Sequence, residues 1–387
     1  MAPIGFDLAV KPTTQSRKRA LIVKFGQIGD VIMAVPAVRS LYEQGFEIHW
    51  VCGSAVRPLL ECYSWVTLIP VDDKAILRGD LWERARNIAG LWRRVAFKGY
   101  DLCATLYYDQ RFHLLTSPIR ARRKVALSRQ SRATTLLAGR SYMDEYLRVV
   151  LGAEDGFRDQ STLPLRPDRI PQSPLPDKEA SRRIAIVPGG TSNVLGQQVL
   201  RRWPIESYVV LAQRLLDRGW EVVLLGGPDD AWVKPHFEPI AVSDRIGDFS
   251  LPEVISVCDT CDGVVSHDTG PLHLAGLSRA CLVGVFGPTN PANFLPRRSF
   301  VAGIWGGQGF ACRPCYDGRD FAPCQFNGCM HQVSPEMVLR ELDQLLNDRS
   351  LGKASPWRIV YPDGDRLPED KTLPVLQQAP ILPLRGY

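Results

Sequence analysis

Residues 19–31 read RALIVKFGQIGDV, and the fold turns on how they are read. The first seven form a nearly unbroken apolar run, the pattern of a strand buried on both faces of a parallel sheet. Gly26 and Gly29 then allow a tight turn and close approach to the backbone. Residues 31–41 carry apolar spacing that predicts a helix. The same alternation recurs, with strand patterns at 47–52, 66–71, 101–107 and 124–127 and a long helical pattern at 81–96. This predicts a parallel sheet covered by helices on both faces.

The alternation stops at 164–182, where residues 163–180 hold five prolines among mixed charges. A second series follows, with strands at 183–187, 221–225, 263–266 and 282–286 and helices at 205–218, 251–257 and 272–277. Residues 335–347 spell an amphipathic helix. The expected divisions are an arm (1–17), a front domain (18–163), a linker (164–182), a rear domain (183–347) and a Pro-rich tail (348–387). A chain of 387 residues is too long for one ordinary core. Two doubly wound halves place a cleft between them, and ligands bind such sheets at the C-terminal ends of their strands.

Composition narrows the class. The 45% hydrophobic and 23% charged content is that of a globular protein. No apolar run is long enough to cross a bilayer, and residues 1–17 lack the apolar core of a signal peptide, so a cytoplasmic protein is expected. The formal charge is +6, and Arg93, Arg94, Lys98, Arg111, Arg120, Arg122, Arg123 and Lys124 gather in the front half. Such a patch attracts phosphates, anionic glycans or an anionic membrane face.

Three turns carry the candidate chemistry. In the first, Asp30 follows Gly26 and Gly29 at a helix start, where it either caps the helix or faces the cleft. The second joins Gly189, Thr191 and Ser192 to the pair Arg201 and Arg202, small residues with free N–H groups beside planar donors suited to phosphate oxygens. In the third, Asp268, Thr269, Gly270, Pro271 and His273 crowd a strand–helix junction of the kind that binds anions. The dinucleotide fingerprint G-x-G-x-x-G is absent, which argues against an NAD-dependent oxidoreductase.

Taken together, GQIGDVIMAVPAVRSL (26–41), PGGTS (188–192), RRWP (201–204), LLGGPDD (224–230), SHDTGPLHLAG (266–276) and VGVFGPTNP (283–291) resemble glycosyltransferase family 9, the ADP-heptose:lipopolysaccharide heptosyltransferase family. The likeness spans about residues 19–345. It implies the GT-B fold, an inverting reaction and no catalytic metal. Asp30 matches the family's catalytic base. Thr191, Arg201 and Arg202 match its donor-phosphate residues, and residues 268–271 its nucleotide turn. Gly189, Ser192 and His273 are grouped with the donor set, and Gly26, Gly29, Arg111 and Arg120 with the acceptor. The resemblance makes ADP-heptose the expected donor and a glycan or lipid-linked glycan, such as lipopolysaccharide core, the expected acceptor; the basic patch adds an expected peripheral contact with the anionic inner membrane, and no nucleic-acid partner is expected. The family often has Lys where this chain has Arg201, which keeps the charge but changes the shape. An epimerase or hydrolase on the same fold, or a non-catalytic nucleotide-sugar binder, are the competing classes.

Ten cysteines divide into two groups. Six lie in apolar patterns and read as small buried hydrophobes. Cys312, Cys315, Cys324 and Cys329 cluster as C-x2-C and two more within eighteen residues, a spacing that predicts four thiolates around a structural zinc or iron, with free thiols or a disulfide pair as the alternative.

Overall fold

The computed structural model describes residues 17–153, 166–179, 181–193, 196–316, 321–324 and 326–362. The expected arm, except Arg17, and the tail beyond 362 lie outside these residues.

In the front lobe β1 (Arg19–Val23), β2 (Glu47–Cys52), β3 (Val66–Pro70), β4 (Tyr100–Thr105) and β5 (Ala121–Ala126) alternate with α1 (Ile28–Glu43), α2 (Arg57–Leu60), α3 (Asp73–Arg78), α4 (Leu81–Val95) and α5 (Gln110–Thr116), and α6 (Tyr142–Leu151) closes the lobe. All pairings are parallel, in the order β3-β2-β1-β4-β5. Local chemistry sets the helix starts. Asp72 accepts from Ala75 N at 2.9 Å to begin α3, and Asp80 and Glu83 exchange bonds to begin α4. One sheet face packs on α1, α2 and α6, the other on α3, α4 and α5.

The rear lobe contains β6 (Arg183–Val187), a two-stranded ribbon β7 (Ser192–Asn193) and β8 (Gly196–Gln197), then β9 (Glu221–Leu224), β10 (Ser243–Asp244), β11 (Gly263–His267), β12 (Cys281–Phe286), β13 (Val301–Trp305) and β14 (Arg358–Val360). Its helices are α7 (Ile205–Leu216), α8 (Leu251–Asp259), α9 (Gly270–Gly276), α10 (Pro291–Phe294), α11 (Gly328–His331) and α12 (Pro335–Ser350). Seven strands form a second parallel sheet in the order β10-β9-β6-β11-β12-β13-β14. No helix among the described residues is long and apolar enough to cross a membrane.

Several elements differ from the sequence expectation. Helix α1 starts at Ile28, so Asp30 stands inside its first turn. Helix α6 was missed because Asp144, Glu145 and Arg148 are buried within it and hide its apolar face. Strand β14 comes from the segment read as a tail, and its three residues are too few to show a pattern. The lobes share apolar surface where Ile32 and Leu59 meet Ile255, Leu274 and Leu277. Arg297 pairs with Asp144 at 2.9 Å, and Asn293 Nδ2 donates to Arg140 O at 3.1 Å across the same boundary.

Candidate active site

Both strand orders reverse at one point, between β1 and β4 in front and between β6 and β11 behind, and such points are where doubly wound sheets bind ligands. Asp30 follows β1. Residues 189–191 follow β6 and residues 268–270 follow β11. The three turns singled out in the sequence therefore stand at the two switch points.

Asp30 does not cap its helix. The capping position is Gln27, which has no side-chain capping bond and a positive φ of 64°. The Asp30 carboxylate instead accepts from Lys24 Nζ at 2.8 Å through Oδ2, and the Asp30 side chain is 25% exposed. The ammonium is buried, also donates to Leu106 O at 3.1 Å, and lies 4.2 Å from the centre of the Tyr107 ring. Burial raises the Tyr107 hydroxyl above its ordinary range. That neutral hydroxyl accepts from Phe25 N at 2.8 Å and Gly26 N at 3.2 Å, which fixes the turn before α1.

The other glycine of this turn does something else. A Cβ on Gly29 would lie 2.5 Å from His273 Cδ2, and one on Gly270 would lie 3.2 Å from Ile28 Cβ. The starts of α1 and α9 thus touch through missing side chains. Burial lowers the pKa of His273 and keeps its ring neutral, against the opposing fields of Asp268 and Asp30.

The rear loop is tightly held. Gly190 and Thr191 both have positive φ, 88° and 67°. Gly190 N donates to Asp230 Oδ1 at 2.6 Å and Gly227 N to Asp230 Oδ2 at 2.8 Å. A Cβ on Gly189 would lie 2.3 Å from the Asp230 carboxyl carbon. Thr191 N donates to Thr269 Oγ1 at 3.1 Å, tying the second turn to the third. Ser192 begins β7, and its side chain lies outside the described residues.

The two arginines divide their work. Arg202 donates from Nε to Thr191 Oγ1 at 3.0 Å and from Nη2 to Gly190 O at 3.0 Å, so it supports the loop from within. Arg201 donates from Nη1 to Asp268 Oδ2 at 3.1 Å, while its Nε is buried with no partner. Thr289 Oγ1 donates to the same Asp268 oxygen at 2.7 Å. Beside them burial holds the pKa of His267 down to about 3, and its Nε2 is a second buried atom without a partner.

The acceptor expectation fares differently. Arg120 O accepts from Tyr100 N at the start of β4, so Arg120 sits about 20 Å from the strand ends where Asp30 lies. Arg111 is on the correct side but pairs with Asp109 at 2.6 Å. A cavity of about 270 Å³ lies between the lobes, walled by Tyr108, Tyr142, Phe294 and Tyr316 with Arg129 and Asn290, and the field of Asp30 reaches its Tyr142 and Tyr316. Tyr316, pushed up to about 12 by burial, feels the fields of Asp30, Arg201 and Asp268 together. Lys24, Asp230 and Tyr316 carried no sequence signal of their own, although Asp230 stands within the quoted LLGGPDD.

The four clustered thiols are free. Cys329 is pushed up to about 12, first by burial and then by the charges of Cys315, Cys324 and Cys312. Among the described residues no three His, Cys, Asp or Glu side chains are set to hold a metal.

Two parallel α/β lobes, with a carboxylate at one switch point facing arginine and small-residue turns at the other, define a glycosyltransferase of the GT-B class. The family model described as glycosyltransferase family 9 (heptosyltransferase) matches residues 165–324. Lipopolysaccharide core heptosyltransferase OpsX of Haemophilus influenzae is 23% identical over 73% of this chain and 83% of its own length. Lipopolysaccharide heptosyltransferase 1 of Pseudomonas aeruginosa is 27% identical over 85% of this chain and 98% of its own. The solved Escherichia coli heptosyltransferase WaaC with ADP shares the fold, with a TM-score of 0.61 at 18% identity over 84% of this chain and 99% of its own. The chain is thus similar to glycosyltransferase family 9 at residues 165–324, and to heptosyltransferases over most of its length.

Gly29→Ala is expected to cost about 1–3 kcal/mol and most of the activity, because the new methyl must displace the His273 ring between the lobes. Gly26→Ala, whose Cβ would meet only Asp73 Oδ2 at 3.8 Å, is expected to behave as wild type. Melting temperature and turnover measured on both variants check this, and equal behaviour would refute it. Lys24→Met is expected to destabilise by about 1–3 kcal/mol, since it leaves the Leu106 carbonyl buried and unpaired, and to lower turnover by releasing Asp30.

Proposed function

We propose that this glycosyltransferase moves heptose from ADP-heptose to the core of lipopolysaccharide with inversion, and that Asp30 is its general base. The observation that carries this reading is the convergence of Asp30 from the front lobe with Arg201 and Asp268 from the rear lobe around His273 and Tyr316. The names of the related enzymes support the sugar and the acceptor.

In this mechanism Lys24 holds Asp30 Oδ2, which leaves Oδ1 to face the acceptor hydroxyl. As the oxygen attacks the anomeric carbon, Asp30 takes its proton and the bond to the diphosphate breaks. Negative charge grows on the leaving diphosphate. The Arg201 guanidinium, whose Nε has no partner in the chain, would meet that charge, with the Gly189–Thr191 loop held by Asp230 and Arg202. The cavity between the lobes takes the acceptor sugar against its aromatic walls, in place of the arginines first expected there. A nucleotide-sugar donor suits a cytoplasmic protein.

Asp30→Asn is expected to lower kcat by about 10²–10⁴-fold while ADP binding, followed by calorimetry, stays intact. Near-normal turnover would remove Asp30 from the mechanism.

The C-x2-C spacing with two further cysteines supports a structural metal at Cys312, Cys315, Cys324 and Cys329, which would have to draw the four side chains closer together than they stand here. It would supply no chemistry, only a fixed loop. That loop matters at two places. Asn327 Nδ2 donates to Arg202 O at 2.8 Å, and Tyr316 N donates to Pro288 O at 3.2 Å. Elemental analysis of the purified protein is expected to find zinc or iron, absent from a Cys315→Ser variant. A metal-free wild type with the same melting temperature as that variant would exclude the site.

A further inference from the structure

Large apolar side chains that face water are gathered in one place. Phe97 at 88%, Leu81 at 85%, Trp82 at 79% and Leu114 at 73% are the four most exposed among the described residues. All belong to α4, the turn after it, or α5. These elements cover the sheet face opposite α1 and α6, the helices on the rear-lobe side.

The stripe on α4 has helical spacing. Its inner side is Leu91 and Val95, both buried, with Ile88 partly so. Its outer side runs Trp82, Arg86, Gly90, Arg93 and Phe97, at steps of three and four residues. Arg94 and Lys98 flank it and are exposed. Residues 81–98 hold Arg84, Arg86, Arg93, Arg94 and Lys98 against the single acid Glu83, which is engaged at the helix start. An outward face that keeps Trp and Phe in water, and sets arginines between them, is costly in isolation and marks a contact surface. Aromatic and leucine side chains beside Lys and Arg are the composition of a helix lying in a lipid interface. The positive charge selects an anionic surface.

We infer that α4 docks the front lobe on an anionic bilayer, with Leu81, Trp82 and Phe97 in the headgroup–acyl boundary and Arg86, Arg93, Arg94 and Lys98 at the lipid phosphates. The topology gives this a use. Helix α4 leads into the start of β4 after running fifteen residues along the sheet, so its Leu81–Trp82 end lies toward the strand ends where Asp30 stands. A docked α4 holds the cleft rim at the membrane, where a lipid-linked acceptor is presented.

The test is cosedimentation of the full chain with vesicles of phosphatidylcholine containing phosphatidylglycerol, and of phosphatidylcholine alone. The wild type is expected to pellet with the anionic vesicles only, and less as salt rises. Arg93→Glu with Arg94→Glu is expected to weaken binding by about 30-fold or more. Trp82→Ser with Phe97→Ser is expected to abolish pelleting, with melting temperature nearly unchanged because these side chains lie mostly in water. ADP binding is measured on the same variants. Its retention beside lost lipid binding separates this surface from the transferase reading. Wild type that stays in the supernatant, or variants that pellet as wild type does, would overturn the proposal. So would a wild-type dimer in light scattering that the Trp82→Ser, Phe97→Ser variant converts to monomer, which would assign the face to a second copy.

Discussion

The active site depends on two helices meeting where side chains are missing. Helix α1 presents Gly29 to the ring of His273 on α9, and α9 presents Gly270 to Ile28. A methyl at Gly29 would have to displace the His273 ring, and one at Gly270 would press on Ile28. Because each helix begins at the switch point of its own sheet, this one contact brings the two ligand-binding edges together. The apolar cluster of Ile32, Leu59, Ile255, Leu274 and Leu277 lies directly behind it and makes the contact a pivot rather than a passing touch. Sliding of one lobe past the other would expose this cluster to water.

Charge around the pivot is arranged by the same economy. Three buried or part-buried carboxylates, Asp30, Asp230 and Asp268, each have a fixed partner from the chain: Lys24, the Gly190 and Gly227 amides, and Arg201 with Thr289. A buried ion without a partner costs several kcal/mol, so these pairings fix the loops as firmly as packing does. Arg202 is consumed inside the loop. Arg201 keeps Nε without a partner, and His267 keeps Nε2. Orphaned donors or acceptors are rare in protein interiors.

Much of this architecture was legible in the chain. Strands such as β1, β6 and β12 are continuous apolar runs because helices cover both their faces, and the glycine turns after β1 and β6 announce themselves. What could not be read were the partners chosen by topology. Lys24 looks like one basic residue at a strand end until Leu106, Tyr107 and Asp30 close around it from three parts of the chain. The same holds for Arg120, which belongs to a basic run in sequence but lies at the wrong end of β5. Asp30 was ambiguous for a local reason, because a carboxylate in a first helical turn satisfies the capping pattern whether or not it caps. Only the distance to Lys24 separates the two readings.

The cysteine loop shows how a segment that contributes no catalytic group still governs the site. It reaches from Tyr316, which walls the cavity between the lobes, to Asn327, which holds the carbonyls of Leu200 and Arg202. The cavity wall and the arginine turn therefore share one support. Cys329 itself is wedged where Cβ atoms on Gly287, Gly306 and Gly307 would collide with it. Those glycines end β12 and β13, so the loop is pressed against the strand ends by close packing at one side and tied to the arginine turn by hydrogen bonds at the other. A change in its conformation would move the cavity wall and the arginine turn at once, whereas a change confined to either lobe's own turn would move only one. That makes the loop the natural place for the two half-sites to be kept in register.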